Sequence, residues 1–187
     1  MNSKLATGLT ILELVMILAI SGITLGVGIP GIASLISANR VAGQVNALRS
    51  ALALTRSEAI KRNQHTVLCK SADGKHCTKS GSWSQGWIVY IDHNQNRKRD
   101  LKETLMLVHG ELANGHFLRY RGFGSHNYIV YWPTGFTRTN GTFTLCAPNS
   151  PGRSRALILT KTGRVRLSRT RPDGSPLRCD NTTNSAS

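Results

Sequence analysis

The chain has 187 residues and carries 24 Lys and Arg against 9 Asp and Glu, a formal net charge of +15. That balance points to an anionic partner: nucleic acid, a membrane surface or an acidic polysaccharide. With so few carboxylates, and with no HExxH, GxSxG, P-loop or paired-carboxylate spacing, the composition argues against an enzyme and calls for no cofactor.

From Leu9 to Ile29 the only ionisable side chain is Glu13. As a helix rising about 1.5 Å per residue, this stretch is long enough to cross a bilayer. A carboxylate in hydrocarbon costs about 3 kcal/mol even on insertion scales, so Glu13 needs a partner. If the chain is cut after Gly8, the new amino group of Leu9 sits one helical turn from Glu13 and can serve as that partner. The same pair can form between neighbouring copies. Gly8-Leu-Thr-Ile-Leu-Glu13 resembles the processing site of type IV prepilins and type II secretion pseudopilins, with Leu9 where that family usually has Phe. The resemblance implies a basic leader at 1–8 containing Lys4, cleavage after Gly8 by a prepilin peptidase, N-methylation of Leu9, and assembly with other pilin subunits through Glu13. It also implies a single-pass prepilin in the inner membrane, then the periplasm and cell-surface pilus of a Gram-negative bacterium. A cleavable secretory signal has a shorter apolar core and leaves Glu13 unexplained.

Residues 9–30 thus read as a transmembrane or filament-core helix. Gly22 and Gly26 form a small-x-x-x-small face suited to helix bundling. The GxGxxG spelled by residues 26–31 follows no strand and fits no nucleotide site, and Pro30 matches the helix-kinking proline of pilins in its spacing from the cleavage site. Over 31–62 the apolar residues Leu35, Ile36, Val41, Val45, Leu48, Leu52, Ala59 and Ile60 recur every three or four positions. This predicts an amphipathic continuation of the helix, with Arg40, Arg49, Arg56 and Lys61 mostly off the stripe.

Eight short runs rich in branched and aromatic residues follow, at 66–70, 86–92, 104–109, 117–121, 128–132, 143–147, 156–160 and 164–168. Gly, Asn, Ser and Pro punctuate them, and no gap holds a crossover helix, so the pairing is antiparallel. The expected class is α+β, a type IV pilin-like fold: a long N-terminal helix packed on one or two small antiparallel sheets, the globular domain spanning 63–179 and a disordered tail 180–187. The six aromatics Trp83, Trp87, Tyr120, Tyr128, Tyr131 and Trp132 sit at strand spacing and read as core, with base stacking as the alternative. Residues 92–100 begin like a calcium loop with Asp92, Asn94 and Asn96. Arg97, however, replaces the required glycine, so the segment reads as a turn joining two strands.

Cys69, Cys77, Cys146 and Cys179 form an even set, which in an exported domain reads as disulfides. Three pairings are possible. The favoured one joins Cys69 to Cys77 around a short loop, and Cys146 to Cys179 to tether the tail. A zinc site from His65, Cys69, His76 and Cys77 lacks ligand spacing, and the six histidines are scattered.

Arg56 to Ile60, Val67-Leu-Cys69, the Trp83 to Asp92 segment and Gly163-Arg-Val-Arg166 resemble the FimT, FimU and GspH group of minor pilins and pseudopilins. The Gly-Arg-x-Arg element is similar to one associated with DNA capture by FimT-type pilins of naturally competent bacteria. That resemblance implies sequence-independent binding of DNA for natural transformation. The terminal stretch concentrates Arg153, Arg155, Lys161, Gly163, Arg164, Arg166, Arg169, Arg171 and Arg178, with Asp173 the only acid among them. Strand alternation places Arg164 and Arg166 on one face and turns Val165 and Leu167 inward, with Lys161 at the hairpin tip and Arg169 and Arg171 extending the row. A structural or priming subunit, or a secretion pseudopilin, needs no such tail. Adhesion to anionic surfaces would use the same charges.

Overall fold

The computed structural model describes residues 10–112, 115–147 and 151–179, and within the first segment the side chains of residues 25, 27–34 and 37 lie outside the description. The processing residues Gly8 and Leu9 and the tail 180–187 lie outside it as well. Helix α1 runs Ile11–Arg62. Thr10 caps it: its hydroxyl accepts from the Glu13 amide at 3.3 Å and its carbonyl accepts from the Leu14 amide at 3.1 Å. Glu13 therefore stands in the first turn, where the helix dipole favours a carboxylate. Large apolar side chains from Ile11 to Ile23 are exposed. Among the described residues no helix is long and apolar enough to cross a membrane, and the expected span 9–30 falls partly on residues outside that set.

The chain divides into two units, residues 1–40 and 41–187. In the second, α1 buries Val41, Val45, Leu48, Ala51, Leu52, Thr55 and Ala59, a 3.6-residue stripe that ends in small side chains. Ile60, expected on this stripe, is 51% exposed, because one residue past Ala59 is a turn of about 100° off the buried line. Leu35 and Ile36 are exposed as well. Thr55 is tolerated at the interface because its hydroxyl donates to the Ala51 carbonyl at 2.6 Å.

Eight strands follow: β1 (His65–Lys70), β2 (Trp87–Asp92), β3 (Leu105–His109), β4 (Phe117–Gly122), β5 (Tyr128–Tyr131), β6 (Gly141–Cys146), β7 (Arg155–Leu159) and β8 (Val165–Ser168). They pair antiparallel throughout in two four-stranded sheets, ordered β3-β2-β1-β5 and β4-β6-β7-β8. This is the α+β architecture expected from the strand pattern. Alternation sorts the side chains: Leu68, Trp87, Val89, Ile129 and Tyr131 of the first sheet meet Phe143, Leu145, Leu157 and Leu159 of the second and the α1 stripe in one core. The opposite face of the first sheet buries a smaller cluster of Val67, Cys69, Ile88, Tyr90 and Val130. The opposite face of the second sheet is polar and basic.

Cys69 is bonded to Cys77 and Cys146 to Cys179, each pair with Cα atoms 5.6 Å apart, as the favoured pairing has it. The first bridge takes both thiols of the zinc alternative. Residues 93–104 join β2 to β3, and their carboxylates serve the turn itself. Asp92 accepts from the amides of Asn96 and Arg97, and Glu103 from those of His93 and Asp100, at 2.9–3.1 Å.

Candidate functional site

The β7–β8 hairpin carries the Gly163-Arg-Val-Arg166 element. Its turn closes through the Gly163 amide to the Thr160 carbonyl (2.9 Å) and the Thr160 amide to the Arg164 carbonyl (3.0 Å). Gly163 is buried with φ of 76°, and a Cβ there would meet the Gly135 carbonyl and, at 2.8 Å, the Tyr131 ring. Only glycine satisfies both the left-handed backbone and that approach. Three hydrogen bonds fix the crossing. The Tyr131 hydroxyl donates to the Gly163 carbonyl (3.2 Å), Arg56 Nε to the Gly135 carbonyl (3.1 Å), and the Thr137 amide to the Lys161 carbonyl (2.9 Å). Burial raises the pKa of the Tyr131 phenol, which keeps it a protonated donor. The glycine of the motif thus has a structural part: its backbone sets where the hairpin turns and so where the arginines start.

Arg164 and Arg166 are exposed, and Arg166 lies on the face of the sheet away from α1. Val165 packs toward the core as expected. Leu167 does not, remaining 46% exposed, because β8 is an edge strand with β7 as its only neighbour and ends one residue later. The expected basic row also stops there. The Thr170 amide turns back to the Ser168 hydroxyl (3.2 Å), Thr170 pairs with Pro176, and the Arg171 amide donates to the Ser175 carbonyl (2.9 Å). Inside this small return, the Ser175 hydroxyl and amide hold the Asp173 carboxyl below the usual carboxylate range. Arg169 stays exposed, outside the row.

The return carries Arg171 and Arg178 over the sheet, where the Cys146–Cys179 bridge pins them. With Arg119 and Arg121 of β4, Thr142 and Thr144 of β6, and Pro172, they line a cleft of about 200 Å³. No carboxylate lines it among the described residues. The register aligns Arg121 with Thr142, Thr142 with Ile158, and Ile158 with Arg166, so one cross-strand row ends in an arginine at each edge of the sheet. Three strand spacings separate those ends by about 14 Å. Lys161 is exposed at the hairpin tip. Arg153 lies half-buried in the short helical turn Pro151–Arg153. Arg155 departs from the set: paired with Leu145, it lies on the α1-facing side, and its guanidinium donates to the carbonyls of Gly152 (3.2 Å) and Ser154 (2.9 Å). Sequence reasoning missed Arg119 and Arg121. Their i, i+2 spacing in a strand was a signal that they share a face, but only the sheet order shows which face that is.

Residues 44–163 match the family model of the type II transport protein GspH. The chain belongs to the GspH family. This family member is also 31% identical to the pilin-like protein PilA1 of Thermus thermophilus over 168 residues, 86% of this chain and 97% of the relative. Its fold is similar to the type IV minor pilin FimU of Pseudomonas aeruginosa (TM-score 0.54, 16% identity, 70% of this chain and 89% of that one). It is likewise similar to the minor pseudopilin EpsH of the Vibrio cholerae type 2 secretion system (TM-score 0.51, 13% identity, 69% and 96%). The chain is a type IV minor pilin or pseudopilin, and membership implies contact with other pilin subunits in a pilus or pseudopilus. The GspH match ends at Gly163, so β8 and the arginines after it lie beyond what family membership accounts for.

Gly163 and Gly174, two glycines of this GspH-family chain at similar positive φ, make a test. Gly174 has φ of 82° with nothing within 4 Å of a built Cβ. Gly174→Ala should cost about 1 kcal/mol, the conformational term alone, and Gly163→Ala about 3 kcal/mol or more, since the Gly135 carbonyl must also move. Denaturant unfolding measures both, and equal costs would remove Gly163 from its structural role.

Proposed function

We propose that this minor pilin captures extracellular DNA without regard to sequence, for uptake in natural transformation, through the face of the second sheet turned away from α1. The observation that carries this reading is the row from Arg121 to Arg166 beside the cleft of Arg119, Arg121, Arg171 and Arg178. Guanidinium forks match phosphate oxygens, and neutralising phosphates releases counterions, which gives affinity without base readout. A receptor that accepts any incoming DNA needs that chemistry. Lys161 and Arg164 extend the face at the hairpin tip, while Arg155 is spoken for by its own turn.

The full chain in detergent micelles should bind a DNA duplex with an affinity that falls steeply with salt, by about 0.9 log unit per engaged phosphate for each tenfold rise. Replacing Arg119 and Arg121, or Arg164 and Arg166, with Ala should weaken binding and shrink that slope by roughly 2 phosphates' worth, with the fold intact by circular dichroism. Arg155→Ala should leave the slope unchanged. Parent-like binding by both double variants at low salt would return the chain to a structural or priming role, and selective retention of heparin would favour adhesion to anionic surfaces.

For assembly, the reading is a leader at 1–8 removed by prepilin peptidase, a 9–30 segment that holds the prepilin in the inner membrane and then the filament core, and Glu13 as partner of the Leu9 amine. The exposed apolar side chains from Ile11 to Ile23 supply the surface such a core needs. Glu13→Ala should preserve cleavage after Gly8 but lower the amount of this subunit in sheared filaments. Incorporation equal to the parent would refute the pairing.

A further inference from the structure

Of the six aromatics placed at strand spacing, Trp83, Trp87, Tyr120 and Tyr131 are buried to 6% exposure or less, as core residues should be. Tyr128 and Trp132 are not; both remain half-buried on the face of the first sheet away from the main core. Tyr128 opens edge strand β5 and Trp132 directly follows its last residue, on either side of Val130, so their Cα atoms stand about 13 Å apart at about 3.3 Å per residue. Each ring carries an exposed guanidinium. Arg138 lies over Trp132 with Cζ 4.9 Å from the ring centroid, and Arg97 lies over Tyr128 at 5.9 Å with a 3.3 Å hydrogen bond to its hydroxyl. The His65 ring runs parallel to Trp132, 6.0 Å away with 10° between the planes. These groups line an open groove of about 400 Å³ with Ser125 and Thr139, and among the described residues no carboxylate lines it.

We propose that this groove is a base-stacking subsite for single-stranded nucleic acid, in which Arg138 and Arg97 swing from the faces of Trp132 and Tyr128 to the adjoining phosphates and an unpaired base takes the place of each on its ring. The proposal rests on the DNA reading above and adds to it a strand preference. Flat aromatic faces flanked by cations accept any base, and a duplex hides those faces. A sugar ring also stacks on Trp, but its hydroxyls call for carboxylate acceptors, and among the described residues this groove has none, with Gln95 its one amide beside two arginines. The loop that carries Trp132 and Arg138 is bonded to the β7–β8 turn through the Thr137 amide and Lys161 carbonyl (2.9 Å), which holds the groove's rim and the basic hairpin to each other.

The test uses the full chain in detergent micelles and three probes of equal length: a thymidine oligonucleotide, the same strand with abasic residues in place of thymidine, and a duplex. The thymidine strand should bind about tenfold more tightly than the abasic strand and quench Trp132 fluorescence. Trp132→Ala should remove most of the difference between the thymidine and abasic strands without altering the salt slope, whereas Trp132→Phe should keep most of it. Tyr128→Leu should remove part of it. Equal binding of thymidine and abasic strands by the parent overturns the groove while leaving the arginine face intact. So does a folded Trp132→Ala variant that keeps the full difference. Failure of all three probes to bind the parent overturns both readings.

Discussion

The structure depends on one close approach of two backbones, Gly135 to Gly163. Each residue has φ of 76°, and at Gly163 a single methyl would strike the other's carbonyl. Around this crossing, Arg56 of α1 takes the Gly135 carbonyl and Tyr131 of β5 takes the Gly163 carbonyl. The helix, the first sheet and the second sheet are therefore tied at one point, where the Tyr131 bond is buried and the Arg56 bond part-buried. The direction in which Arg164 and Arg166 leave the hairpin follows from that tie. A motif whose arginines meet solvent thus depends on a glycine that never does.

The charge of the chain is distributed by strand alternation and by one disulfide. Alternation turns Arg119, Arg121 and Arg166 to the same side of the second sheet and sends Arg155 to the other. The Cys146–Cys179 bridge closes a separation of 33 residues and brings Arg171 and Arg178 back over that side. Without it, the segment after Ser168 would hold its place by little more than the Thr170 to Pro176 return. The apolar residues of α1 divide as well: the stripe from Val41 to Ala59 is buried in the core with the two sheets, while those from Ile11 to Ile23 are exposed.

Much of the fold was legible because its signals are local. Every strand lies within two residues of its expected bounds, since alternation and Gly or Asn punctuation are written in neighbouring residues. The helix stripe was legible from Val41 to Ala59, and the miss at Ile60 came from weighting apolarity over phase. What the sequence concealed is non-local. Nothing near Arg119 or Arg121 shows that β4 shares a sheet with β8; after Arg171, by contrast, Pro172-Asp173-Gly174 is a local turn signal, and only where that return lands was hidden. The half-burial of Trp132 and Tyr128 was hidden for the same reason: an edge strand and a central strand of equal composition look alike until the sheet order is known.

The central claim is that DNA lies on the face of the second sheet turned away from α1. Arginine-directed modification with phenylglyoxal, read by mass spectrometry on the full chain with and without saturating DNA, tests it directly. DNA should protect Arg119, Arg121, Arg166, Arg171 and Arg178 and leave Arg155 and Arg49 unchanged. Protection confined to Arg49 and Arg155, or no protection at Arg121 and Arg166 while DNA is bound, would contradict it.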